Sequence, residues 1–188
     1  MCTILGAAAF LMCVTAPPSP ADPNAAIAAQ AAGIAKLSFL DGTWRGPAWA
    51  LMPDGKRHEV TQTERIGPFL GGSVRMIEGR GYVADGSVGF NALGIISHDP
   101  STGSYSIRSY AMGQKGDFPF KPTADGYVWE TPAGPGAIIR YTAKVSNGTL
   151  HEVGERIAGS APPLKIFEMT LKRIGDTAWP AGDAVPMR

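Results

Sequence analysis

From Asp41 onward the chain alternates apolar and polar positions in short runs, and turn dipeptides separate the runs. The dipeptides are Asp54-Gly55, Gly71-Gly72, Asp85-Gly86, Asp125-Gly126 and Asn147-Gly148. Such pairs supply the positive backbone angles that tight hairpins need. The runs predict strands at Thr43–Leu51, Glu59–Ile66, Ser73–Tyr82, Val88–Ser97, Ser104–Met112, Tyr127–Thr131, Ala137–Val145, Leu150–Ile157 and Lys165–Ile174. Regular spacing of short strands and turns indicates an antiparallel barrel or sandwich. No helix of crossover length intervenes, which disfavours a parallel α/β sheet. The expected fold is therefore all-β, an antiparallel up-and-down barrel of about nine or ten strands. Before it, residues 22–40 are Ala-rich and carry Ile27, Ile34 and Leu37. Ala favours helix, and Asp22-Pro23-Asn24 provides start signals. These features predict a helix from about Asn24 to Phe39 that packs against one end of the barrel, with a frayed linker as the alternative. Residues 41–174 are then the barrel and 175–188 a tail.

Side chains alternate across a strand, so one apolar anchor per strand assigns its faces. Val60 and Ile66 bring Gln62 and Glu64 inward with them. Val74 and Met76 do the same for Glu78. Ile139, Tyr141, Ala143 and Val145 form one apolar set. Phe167, Met169 and Leu171 form another, with Arg173 following on the same side. Tyr127 and Trp129 share a face. Val88–Ser97 is apolar on both faces, and the N-terminal helix is a candidate to cover its outside. The expected interior is mixed, with aromatic and aliphatic side chains around carboxylates and Gln62. A buried carboxylate needs a partner or a raised pKa, and a solid core rarely keeps two. A hydrated binding cavity accounts for Glu64 and Glu78 inside. A bulge that reverses the parity is the alternative.

Composition narrows the picture. Gly (24) and Pro (16) are abundant in the 188 residues, as many turns require. The net charge of +1 gives no electrostatic case for nucleic acid or an anionic membrane surface. Ile4–Val14 is an uncharged apolar run, too short to span a bilayer but suited to a signal-peptide core, although no Lys or Arg precedes it. Ser19-Pro20-Ala21 offers a cleavage site after Ala21, so residues 1–21 are expected to be a signal peptide and the mature protein periplasmic or secreted, with no transmembrane span. Both cysteines, Cys2 and Cys13, lie in that segment. Its removal leaves no thiol for catalysis, disulfide or metal. Lipidation at Cys13 is an alternative, although Met12 is larger than that signal normally carries.

Several chemistries lack their residues. His58, His98 and His151 show no metal-ligand spacing, so no metal site is expected, and His58 and His98 are expected in solvent. No Gly-x-Ser-x-Gly elbow occurs. Gly71-Gly72-Ser73 and Gly134-Pro135-Gly136 lack the Lys of a phosphate loop. Strand carboxylates remain at Glu64, Glu78, Glu130, Glu152, Glu155 and Glu168, from which an acid/base pair could be drawn; no catalytic residue is assigned. Trp49, opposite in parity to Trp44, is expected with Phe118 and Phe120 at the rim of the open end, as a lid or as a loop-anchoring cluster.

The segment Asp41-Gly42-Thr43-Trp44-Arg45-Gly46 resembles the opening of lipocalin-like (calycin) proteins, where Gly-x-Trp begins the first strand. The resemblance implies that Trp44 plugs the closed end and that an Arg of the last strand, here Arg173, packs across it. Both are structural roles. Asp125-Gly126-Tyr127-Val128-Trp129-Glu130, Gly148-Thr149-Leu150-His151-Glu152-Val153-Gly154-Glu155-Arg156 and Ile166-Phe167-Glu168-Met169-Thr170-Leu171-Lys172-Arg173 resemble a family of bacterial lipocalin-like secreted proteins of uncharacterised function. The related nitrobindins carry haem on a histidine near the last strands. Lys165–Ile174 contains no His, so no cofactor is expected. The leading expectation is an exported barrel that binds a small, partly apolar ligand through Gln62, Glu64, Met76, Glu78, Trp129, Tyr141 and Met169. A carboxylate-dependent hydrolase or isomerase and a structural or partner-binding envelope protein are the alternatives. Ligand identity and oligomeric state stay open.

Overall fold

Asp22 starts the first element because its carboxylate accepts a hydrogen bond from the Asn24 N–H at 3.0 Å, while Pro23 occupies the first helical position, where no N–H is needed. The computed structural model describes residues 22–179. The expected signal peptide, with Cys2 and Cys13, and residues 180–188 of the expected tail lie outside them. Helix α1 spans Pro23–Ala35 and a 3-10 turn covers Ser38–Leu40. Ten strands follow: β1 Gly42–Leu51, β2 Arg57–Phe69, β3 Val74–Tyr82, β4 Val88–Asp99, β5 Ser104–Ala111, β6 Gln114–Pro122, β7 Gly126–Pro132, β8 Ala137–Ser146, β9 Thr149–Ala158 and β10 Leu164–Gly175. Each pairs antiparallel with its sequence neighbours, and β1 pairs with β10, so the sheet closes on itself. Closure removes both sheet edges. Among the described residues no helix is long and apolar enough to cross a membrane.

The strand missing from the sequence reading is β6. The run predicted to end at Met112 turns there, because Met112 and Gly113 both take positive φ (49° and 79°) and form a tight hairpin. Pro119 and Pro122 sit inside the new strand. Pro119 lies opposite Ser106 and Pro122 opposite Tyr127. A proline cannot donate to a ladder, and the seam to β7 is correspondingly short: Phe120↔Trp129, Lys121↔Val128 and Pro122↔Tyr127.

One end of the barrel is closed by α1 and the 3-10 turn. Ile34, Leu37 and Leu40 are buried with Trp44, Ile66, Ile96, Leu150 and Leu171. The helix therefore packs on an end, as its composition predicted, and does not cover the outside of β4. His98 is not in solvent. Its ring packs on Tyr105 at 4.6 Å and against Gly33, where a Cβ would overlap it. The Tyr105 hydroxyl donates to the Gly33 carbonyl at 2.9 Å.

Trp44 fills this end, 1% exposed, with its indole N–H donating to the Leu40 carbonyl at 3.0 Å. Arg173 stands opposite Trp44 in the β1–β10 register. Its guanidinium turns to the Asp41 carbonyl (3.1 Å) and the Asp176 carboxylate (2.7 Å). The buried cation of the closed end is Arg75 instead, 2% exposed, which donates to both Asp41 carboxylate oxygens (2.7 and 3.0 Å) and to the Ile34 carbonyl. This arrangement ties the helix, the entry to β1 and the inner face of β3 together. Arg75→Met is expected to cost about 3 kcal/mol by leaving those acceptors unpaired, and Asp41→Asn in the same chain is expected to recover part of it. Urea unfolding of the two variants measures both effects; equal stability of Arg75→Met and wild type contradicts the assignment.

Residues 176–179 of the expected tail lie along β2. Trp179 covers the Arg65 guanidinium at 3.7 Å and meets Phe69 edge-on, and the bare Gly67 makes room for Thr177 and the indole.

Candidate functional site

Register fixes the inner wall. Trp129, Tyr141, Gly154 and Phe167 face one another across β7, β8, β9 and β10, and Tyr127, Ala143, Glu152 and Met169 form the next layer toward the closed end. On β2, the inward side carries Val60, Gln62, Glu64 and Ile66, with Gln62 and Glu64 buried. The sequence-predicted residues Gln62, Glu64, Trp129, Tyr141 and Met169 thus lie on the inner wall.

Met76 and Glu78 do not, and both are corrections. On β3 the inward residues are Arg75, Ile77, Gly79 and Gly81. A Cβ on Gly79 would meet the Glu64 carboxylate at 2.8 Å, which fixes that parity. The apolar anchors Val74 and Met76 are on the outer face, and the charged Arg75 takes the inner one because Asp41 and the Ile34 carbonyl receive it. Glu78 is outside, bonded to Arg65 (2.8 Å) and Arg80 (2.6 Å). Those guanidinium partners outweigh its desolvation and hold its carboxyl below the usual range.

Glu152 is the interior carboxylate that sequence reasoning left out of the site. The run Leu150-x-Glu152-x-Gly154 carries the signal, since the buried Leu150 shares its parity. Glu152 is 6% exposed and Glu64 7%. The Gln62 side-chain amide donates to Glu64 Oε1 at 2.7 Å, while Glu64 Oε2 is buried with no partner among the described residues. The Trp129 indole N–H lies 3.4 Å from Glu152 Oε1. Burial pushes the Glu64 carboxyl up to about 8; the Gln62 bond opposes this, and the charges of Glu152 and Glu78 add to it. Burial pushes Glu152 up to about 7, partly offset by the Trp129 and Tyr127 side chains. Tyr141 is raised to about 12, mainly by burial. The two carboxyls therefore hold protons far above the usual carboxylate range, and the charge of Glu152 acts on Glu64.

Aromatic rings cover this pair on the side of the open end. Trp129 stacks on Tyr141 (4.6 Å, 16° between planes), Phe118 lies 5.8 Å from Trp129, and Phe167 meets Tyr141 edge-on. Phe120 is buried deeper, against Tyr127 at 5.0 Å. Phe118 and Phe120 are therefore inner-wall residues of β6, not a rim cluster. Trp129, Tyr141, Phe118 and Phe167 are only half-buried, so solvent reaches this layer. The inward residues Ala92, Ser109 and Ala111 of the facing strands are small, and the Phe118 ring folds over Gly116, where a Cβ would overlap it.

Trp49 and His151 lie on the outer wall. Trp49 lies under the Arg57 guanidinium at 3.9 Å, away from Phe118. His151 bonds Glu168 at 3.0 Å outside the barrel, and His58 is exposed. Two open concavities also lie outside. One of about 520 Å³ is bounded by Trp49, Glu59, Thr61, Tyr82 and Glu168. The other, of about 320 Å³, is bounded by Arg65, Glu78 and Arg80.

These features define a closed ten-stranded antiparallel barrel, capped at one end by a helix, with two protonatable carboxyls beneath an aromatic layer. Among solved structures it is similar to the crystal structure of Rv2717c from M. tuberculosis, with a TM-score of 0.57 and 16% identity, covering 76% of this chain and 97% of that one. That likeness concerns the fold. No protein-family model matches the chain, and no curated protein matches it in sequence.

Proposed function

We propose that the chain is a calycin-like binding barrel that takes a small, partly apolar molecule with a polar group through its open end. The observation that carries this reading is Glu64 Oε2, buried and unpartnered beneath half-exposed rings. A buried polar atom without a partner costs about 1–3 kcal/mol, and a bound ligand group that pairs with it recovers that cost. Concave, mostly apolar sites with a few converging polar groups are the usual form of small-molecule pockets. The Trp44 end is sealed by the helix, which leaves the Trp129–Tyr141 end for entry. Export remains part of the proposal, supported by the apolar run before Ala21.

The test is saturable binding of the neutral fluorophore N-phenyl-1-naphthylamine. Trp129→Ala and Tyr141→Ala are expected to weaken it roughly tenfold, while Trp49→Ala, on the outer wall, leaves it unchanged. Absence of saturable binding, or an equal loss with Trp49→Ala, overturns the proposal.

A second reading, an acid/base hydrolase or isomerase, draws on the same pair, because carboxyls near 7 and 8 exchange protons at neutral pH. It requires a bell-shaped pH–rate profile that Glu64→Gln abolishes. Activity indifferent to that substitution removes it.

A further inference from the structure

Resting on the binding reading above, we infer that the ligand is an organic cation, a protonated amine carried on an aromatic or apolar body, whose ammonium group pairs with Glu64 and Glu152 while its body lies against Trp129 and Tyr141. The charge inventory of the interior is one-sided. Two carboxyls are buried there, and among the described residues no side-chain cation is bonded to either. Arg75 points inward only at the closed end, where it is engaged with Asp41, and Arg173 is exposed there, bonded to the Asp41 carbonyl and Asp176. Arg156 shares the parity of Glu152 but stands four residues nearer the open end, roughly 13 Å along the strand, and is exposed. His58 has inward parity on β2 and is also exposed at that end. Lys165 bonds Glu168 outside the barrel. Around the pair itself the groups are Gln62, Tyr127, Tyr141, Trp129 and Met169. Glu78 acts on Glu64 from beyond the wall, already paired with Arg65 and Arg80.

Such an interior repels an anion. A carboxylate ligand would add a third acid beside two buried ones, and like charges in one site oppose ionisation. A neutral ligand fills the aromatic layer and leaves both acids protonated. An ammonium group does more, because it supplies the missing partner of Glu64 Oε2 and takes the place of the proton the pair holds. Both aromatic faces and carboxylates attract organic cations, and here they occupy adjacent layers. Binding and protonation are then linked. The cation enters as the acid ionises, so a proton leaves the protein.

A matched indole series tests this by isothermal titration calorimetry at pH 7: tryptamine as cation, 3-ethylindole as neutral body, indole-3-propionate as anion. Tryptamine is expected to bind at least about tenfold more tightly than 3-ethylindole, and indole-3-propionate more weakly than either. Tryptamine binding in buffers of different ionisation enthalpy is expected to show release of about one proton. Glu64→Gln with Glu152→Gln is expected to abolish both the preference and the proton release while 3-ethylindole still binds. Glu59→Gln with Glu168→Gln, on the outer concavity, changes neither. If 3-ethylindole binds as well as tryptamine, the cation assignment is overturned and the binding barrel stands. If tryptamine preference persists in the interior double variant, the cation belongs elsewhere and the inference fails. If none of the three binds and the neutral fluorophore does not either, the binding reading falls and takes the inference with it.

Discussion

Trp44→Ala is expected to destabilise the barrel by about 3–5 kcal/mol, the range for deleting a large buried aromatic side chain. The indole is 1% exposed and sits where α1, the 3-10 turn and β1 converge. Its loss opens a void that the rigid strands around it fill poorly, and it strands the Leu40 carbonyl, which accepts the indole N–H. Urea unfolding followed by far-UV circular dichroism should show the midpoint falling by on the order of 2 M. Trp49→Ala provides the contrast, since that ring lies on the outer wall under Arg57 and its loss costs about 1 kcal/mol or less. A midpoint shift for Trp44→Ala no larger than that for Trp49→Ala would contradict the role assigned to the closed end.

The second large effect is a loss of stability as pH rises through neutrality. Glu64 and Glu152 have an ordinary pKa of 4.5, and in the folded barrel burial raises them to about 8 and about 7. Below pH 4.5 both the folded and the unfolded chain hold these protons, and the interior costs nothing in charge. Between that point and the folded values, the folded chain holds protons that the unfolded chain has released. Stability therefore falls with rising pH across this window and levels off above about pH 8. With these values the pair contributes a fall of about 6 kcal/mol between pH 5 and pH 8. Glu78 and Glu168, lowered by their basic partners, contribute in the opposite sense but only in the acid range. Subtracting the unfolding free energies of Glu64→Gln with Glu152→Gln from those of wild type isolates the interior term. The double variant should be the more stable protein at pH 8 and nearly level with wild type at pH 4. A difference independent of pH would show that the two acids are not buried as described.

How far the sequence carried this picture depended on whether each strand held a residue that could face only one way. On β2, β7, β8 and β10 the inward parity holds most of the large apolar residues, so Gln62, Glu64, Trp129, Tyr141 and Met169 could be placed by alternation. The same rule misled on β3. There the inner face holds Arg75, two glycines and Ile77, and the outer face holds Val74 and Met76. Alternation reads hydrophobicity, whereas Arg75 is inside because the Asp41 carboxylate, at the entry to β1, meets it. That partnership is tertiary and leaves no local mark. Strand β6 was hidden for another reason: Pro119 and Pro122 are turn signals in most contexts, and only the pairing with β5 makes the segment a strand. Glu152 was legible in part, because Leu150 and Gly154 share its parity, but its nearness to Glu64 comes only with closure of the barrel. His98 looked solvated beside Asp99-Pro100, and the cap helix that covers it is far away in sequence.

The short β6–β7 seam has one more implication. A closed barrel resists deformation because every strand is hydrogen-bonded to two others, and that hoop is only as strong as its weakest joint. Here the joint runs beside Phe118 and Trp129, the rings that stand over the interior acids. Backbone fluctuations that part β6 from β7 break few rungs and widen the wall beside the aromatic layer, while the capped end keeps its shape. Rigidity and compliance are thus assigned to opposite ends of one continuous sheet, with two prolines setting where the wall yields.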